Sequence, residues 1–385
     1  MRFGANVQPG QIVALSSEPG KEQLARAIAE VAYEEGAKFV DLSVFDVHLK
    51  RARALHAAAD TLGFVPEWYG QRLLALADQR GARIGLTGPV APHIMDGVDP
   101  ARLGQDLLPA LRESATLVNE RTVNWTACPC PTPDWAALVH PELEPDAALA
   151  LLWEQIAHVC RLDEPDPVAA WETRFEQLAA VAQKLCALKL DAVRFVGPGT
   201  DLQIGLLASS RWLSARLRTV DGIVHAPNLP TEEVFTTPDP ARVHGVVTST
   251  KPLFVGGVVI TGLRVRFEGG RAIEIDADQG PDTLRAMTER DAGAARLGEV
   301  ALVDREGRIG PLDTIFFDTL LDENAASHIA FGQGFGFAVS SGDAALINSS
   351  EIHVDFMIGS EEVSVTGVLR DGAELPLLRD GAWQL

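Results

Sequence analysis

The period of the hydrophobic pattern changes once along this 385-residue chain, near Arg194, and that change constrains the fold more than any other feature. Before it, short apolar runs alternate with amphipathic stretches. Residues 12–15 read as a strand. Residues 21–35 read as a helix with Leu24, Ile28, Val31 and Ala32 on one face and Gly36 past its end. A second strand follows at 39–45, a helix at 71–80 closed by Gly81, and a third strand at 84–86. That β-α-β-α-β order predicts a mostly parallel sheet covered by helices. The middle is helical, first over 146–160. A further helix opens at Asp166-Pro167 and buries Trp171, Phe175, Leu178, Ala182 and Leu185. Beyond Arg194 the period drops to two, and Gly256-Gly257 and Gly269-Gly270 mark hairpin turns. Short strands are expected at 300–303, 314–317, 338–339 and 353–358. The expectation is an α/β N-terminal domain with a mostly parallel sheet over 1–194. A mainly β (α+β) domain follows over 195–385.

Charge and cysteine content narrow the function. Thirty-three basic against 53 acidic residues give a net charge of −20. A surface that acidic repels phosphate backbones and anionic lipid, so neither nucleic acid nor a membrane surface is expected as a partner. No apolar run reaches the roughly 18 residues a membrane helix needs. The N-terminal segment lacks the apolar stretch of a signal peptide, so the expected location is the cytoplasm. Cys128, Cys130, Cys160 and Cys186 are too sparse for a disulfide scaffold and are expected as ordinary thiols. Phosphate-loop signatures fail: Gly197-Pro198-Gly199 lacks a third glycine at Leu202, and Gly20-Lys21 is followed by Glu22.

Of the nine histidines, His48, His56, His140 and His158 read as ordinary surface or core residues. His353 differs. In EIHVDFMIG, His353 and Asp355 project from the same face of an apolar strand. They can grip one divalent ion, or simply form a polar edge or a His–Asp hydrogen bond. His328 lies in DENAASHIAFG, where Asp322-Glu323-Asn324 looks like a helix start. In PTEEVFT an extended backbone turns Glu232 and Glu233 to opposite sides, one to a metal, the other to support it or act as a base. Glu299 is a lone acid leading an apolar strand. Two glutamates, two histidines and an aspartate suit a pair of divalent ions bridged by carboxylates and water.

NLPTEEVFTTPD, LGEVALVD, LDENAASHIAFG and HVDFMIG, in that order, resemble segments of the thermophilic-type metallo-aminopeptidases, as do GPGTDLQIGL and PTPDWA. The resemblance implies metal ligation by Glu233, Glu299 (bridging), His328, His353 and Asp355. Glu323 falls where a further carboxylate is expected. Five residues along a helix turn it about 140° from His328, so it can join only if the helix begins after it. The resemblance further implies a homodimeric hydrolase that removes N-terminal residues from peptides. Two divalent ions per chain, zinc first with cobalt or manganese as substitutes, would share a hydroxide, and Glu323, or else Glu232, would shuttle the proton. The first domain, which shows no chemical constellation, would serve access and association. One departure stands out: the family's tyrosine, seven residues after the ENAASH histidine, is Phe335 here. That leaves open a metal-bearing scaffold or binding homologue with weak or no peptidase activity.

Overall fold

The computed structural model describes every residue except 107 and 110. Two compact units emerge: Met1–Glu172 with Ala215–Thr231, and Thr173–Ser214 with Glu232–Leu385. The division falls within the helix Pro167–Leu188. Among the described residues, no helix is long and apolar enough to cross a membrane.

The first unit is built on four parallel strands in the order Phe39–Val44, Ile12–Ser17, Ala82–Thr87, Asn124–Pro129. Alternation along Ile12–Ser17 sends Val13 and Leu15 to one face. There they pack with Ala25 and Ala32 of the helix Glu22–Glu34 and with Ile84 and Leu86. Ile12, Ala14 and Trp125 line the other face against Leu76, Ala77 and Leu117. The expected parallel sheet is therefore present, with two corrections. Val31 is 38% exposed rather than on the inner face of its helix. The fourth strand gives a weak apolar signal because two of its buried residues, Asn124 and Thr126, are polar. Asn124 is buried, yet its amide donates to Ala5 O at 2.6 Å and accepts from Gln11 Nε2 at 2.8 Å.

In the second unit, an eight-stranded sheet accompanies a five-stranded one. The smaller sheet runs antiparallel in the order His353–Met357, His328–Gly332, Leu297–Val303, Glu233–Thr236, Leu213–Ser214. Phe331 stacks on Phe356 at 5.3 Å and on Phe267 of the larger sheet at 5.7 Å, which places the core between the sheets. Both glycine-marked hairpins form, Leu253–Val255 with Val258–Ile260 and Arg264–Glu268 with Arg271–Asp276. The strand expected at 314–317 is irregular, and 338–339 ends a short 3₁₀ turn, Gly336–Ala338. Runs of so few apolar residues carry no periodicity to separate strand from turn.

Candidate metal centre

The register of the small sheet decides what meets. Glu233 pairs with Val303, Ala301 with His328, Glu299 with Ala330, Ala330 with Asp355, and Gly332 with His353. Alternation then puts Glu233, Glu299, His328, His353 and Asp355 on one face, with the small residues Ala301, Ala330 and Gly332 among them. The opposite face carries Val300, Leu302, Ile329, Phe331, Val354 and Phe356, all buried. A bulge at Gly298 brings Glu299 into place. A side chain there would lie 2.4 Å from the carbonyl oxygens of Gly332 and Gln333.

Glu323 arrives by another route. The short helix Thr319–Glu323 ends at it instead of beginning after it, and the chain reverses through residues 324–327 before His328 opens its strand. Reversal brings both side chains together where a continuous helix would have parted them. Three groups of potential ligand atoms result, each within 4.8 Å of one another: Glu233–Glu299–His328, Glu299–His353–Asp355 and Glu323–His328–Asp355.

Hydrogen bonding fixes both imidazoles. His328 Nδ1 lies 3.2 Å from Ala326 O and His353 Nδ1 lies 2.9 Å from Gln333 O. A carbonyl only accepts, so each Nδ1 carries the proton and each Nε2 presents its lone pair inward. His328 Nε2 faces Glu233 Oε2 at 3.1 Å. His353 Nε2 faces Glu299 Oε2 at 3.1 Å and Asp355 Oδ1 at 3.4 Å. Glu233 Oε2 and Asp355 Oδ1 are buried without a hydrogen-bond partner. Lone pairs facing carboxylate oxygens require positive charge between them, either a second proton or a cation, so the donor set fits a metal.

The electrostatics agree. Burial pushes Glu299 up to about 7, with Glu233 and Asp355 adding to the rise. Burial, then Asp355 and Glu233, drive Glu323 well above the ordinary carboxyl value. Burial opposes charge on His328 and His353, but the carboxylates outweigh it: Glu233, Glu323 and Asp355 for the first, Asp355 and Glu299 for the second. Both rise well above the ordinary value. Asp355, despite its burial, is held low by His353 and His328. The His353 side chain is 30% exposed, whereas that of His328 is 1% exposed, so the centre opens to solvent on the His353 side. The Phe335 ring lies 5.3 Å from the His353 ring and edge-on to Phe235 at 5.4 Å.

Glu232 faces away from this face. It is fully buried, and Arg174 Nε donates to its Oε2 at 2.5 Å. Arg174 also donates to Asp304 Oδ1 at 2.9 Å, and Asp304 Oδ2 accepts from Trp383 Nε1 at 2.6 Å. Asn324 ties this network to the site. Its Oδ1 accepts from the Glu232 N–H at 2.7 Å, and its Nδ2 donates to Leu320 O at 2.9 Å. The sequence reading missed these supports. The signal available was an arginine between Trp171 and Phe175 on a helix face that is otherwise apolar.

Residues 1–383 match the thermophilic metalloprotease (M29) family. The chain belongs to this family. Among its relatives, aminopeptidase T of Thermus aquaticus is 39% identical over 392 residues, covering 100% of this chain and 96% of that protein. Aminopeptidase PepS of Streptococcus thermophilus is 36% identical, covering 99% and 95%. The solved structure of wild-type AmpT from Thermus thermophilus superposes with a TM-score of 0.87 at 38% identity, covering 100% of this chain and 97% of that one. As a member of this metalloprotease family the chain is a hydrolase, and the family implies divalent metal, in accord with the donor set.

Metal and protons compete for that set, which gives a pH-dependent prediction. In the metal-free chain, folded-state values raised for His328, His353 and Glu299 stabilise the fold while the groups hold protons. That contribution is lost as pH rises through about 7 and beyond. The lowered Asp355 acts oppositely, but only below the ordinary carboxylate range. The gap in melting temperature between metal-loaded and chelator-treated protein should therefore widen from pH 6 to pH 8. A constant or narrowing gap in thermal scans would contradict this.

Proposed function

We propose that this metalloprotease is an aminopeptidase that hydrolyses N-terminal residues from peptides using two divalent ions. The observation that carries the proposal is the sharing among the three ligand groups. An imidazole nitrogen would bind one ion, so the two groups containing His328 would merge into one centre held by Glu233, Glu299 and Asp355, with Glu323 beside it. The other centre has His353. Glu299 and Asp355 belong to both, as bridging carboxylates do. When bound, divalent ions supply Lewis acidity toward a carbonyl and an activated water. Zinc is the first choice, with cobalt or manganese as substitutes, since mixed imidazole–carboxylate donors discriminate weakly.

Glu323 would take the proton from the attacking water and deliver it to the leaving amine. Its carboxyl lies within 4.8 Å of the ligand atoms of His328 and Asp355, close enough to exchange a proton with a water held there. Glu232, committed to Arg174, would act as a support. The test is release of N-terminal residues from aminoacyl chromogenic substrates with added zinc or cobalt. Chelator-sensitive release is expected, and none at all would defeat the proposal.

Phe335 favours a second reading, a member with weak turnover. It sits beside His353 and offers no phenol to a developing oxyanion, a loss costing roughly 10² to 10³ in rate. Phe335→Tyr should raise kcat by about tenfold or more. An unchanged kcat in an active enzyme would make the tyrosine dispensable.

The division of labour we propose gives residues 195–385 the metal site and residues 1–194 access and association, in a cytoplasmic homodimer. Support comes from apolar side chains displayed by the first unit: Leu42 and Val44 on the edge strand, and Leu49, Phe64 and Trp68, each 50% exposed or more. Light scattering should read near twice 41.3 kDa.

A further inference from the structure

The first unit contains a second concentration of polar chemistry. The helix Val47–His56, sequence VHLKRARALH, carries five basic side chains and no acid in a chain of net charge −20. Two of its cations are committed to main-chain carbonyls. Lys50 donates to Asp106 O at 3.0 Å and Leu108 O at 2.6 Å. Arg53 donates to Leu62 O at 2.6 Å and Phe64 O at 2.5 Å. Arg51 is different. Its Nε donates to Ile94 O at 2.6 Å, which anchors the guanidinium, and its four terminal N–H groups have no partner among the described residues. They border an open groove of about 410 Å³ that His48 and His56 line from the same helix and His93 from the facing loop. Among the described residues that line it there is no carboxylate. His93 Nδ1 lies 3.6 Å from Asp96 Oδ2.

We propose that this groove binds a small oxyanion carrying more than one negative charge, a phosphate ester or a dicarboxylate. An anchored guanidinium presents a fork that matches two oxygens of such a group. Three imidazoles around it can each donate an N–H to the remaining oxygens. The groove is large enough for roughly a dozen waters at about 30 Å³ each, which admits a small metabolite. Sequence pattern alone could not show this, because His48, His56 and His93 come together only when the loop carrying His93 folds against the helix.

Calorimetric titration of the full metal-loaded chain with glycerol 2-phosphate and, separately, succinate tests the proposal. Saturable binding of at least one is expected, and which one binds identifies the oxyanion class. Arg51→Gln should weaken that binding tenfold or more, which is about 1.4 kcal/mol and within the range for a charge-assisted pair. His56→Gln, an exposed substitution at the helix end that leaves the fold intact, should weaken it several-fold. His353→Ala, in the other unit, should leave it unchanged. Absence of saturable binding by both probes, equal affinity in Arg51→Gln and His56→Gln, or loss of binding in His353→Ala would each overturn the proposal, the last by placing the anion at the metal centre.

Discussion

Asp355→Ala is expected to depopulate both halves of the metal centre. Asp355 belongs to two of the three ligand groups, on a buried strand whose remaining members are apolar apart from His353. No neighbour can replace its oxygens, because the residue across the strand is Ala330. The variant should retain at most one ion per chain by elemental analysis. Its kcat/KM should fall by at least roughly 10³, more than the loss of a single oxyanion donor, since both activation of water and polarisation of the carbonyl suffer. Asp355→Asn, of equal volume, separates charge from packing: it should fold like the parent and still lose metal. Two ions retained in both variants would remove Asp355 from the site.

Arg174→Met should be the most destabilising single change away from the ligands. Arg174 is 4% exposed and neutralises two buried carboxylates, Glu232 and Asp304. Burial works against its charge, but the two carboxylates outweigh burial and hold it firmly protonated. Methionine fills much of the volume and removes the guanidinium that both acids share. Breaking a buried pair in this way costs about 3–5 kcal/mol. The denaturant midpoint should drop accordingly with an unchanged slope. Adding Glu232→Gln and Asp304→Asn should recover a good part of the loss, since the buried charges then vanish together. A loss below about 1 kcal/mol, the scale of a solvent-exposed pair, would show that water reaches these acids. Metal affinity should fall as well, because Glu232 directly precedes Glu233 and shares Asn324 with the segment that carries Glu323.

Much of this was legible in the sequence, for physical reasons that vary from segment to segment. Residues 12–15 announce themselves because both faces of a covered parallel strand are apolar, and residues 84–86 because Ile84 and Leu86 share one buried face. Residues 124–129 do not, because Asn124 satisfies its polarity through Gln11 and Ala5, partners more than a hundred residues away. At the metal centre, HVD fixes two side chains on one face by alternation alone. Glu323 and His328 were harder. Helical geometry argues against their meeting, and only a chain reversal at Asn324 unites them. The supporting role of Arg174 stayed hidden because a helical pattern says which face is buried, not which buried charge finds a partner.

Ala330 has a consequence of its own. It sits between Glu299 and Asp355 on the middle strand, so the gap those two carboxylates span is ruled by two inter-strand steps of about 4.8 Å each. Backbone hydrogen bonds across a packed sheet hold such a gap nearly constant, whereas loops would let it breathe. A cradle of fixed width cannot contract around a smaller cation or relax around a larger one. The metal it carries in a living cell would then follow supply more than fit, and exchanging one divalent ion for another should alter the rate while leaving the architecture of the cradle as it is.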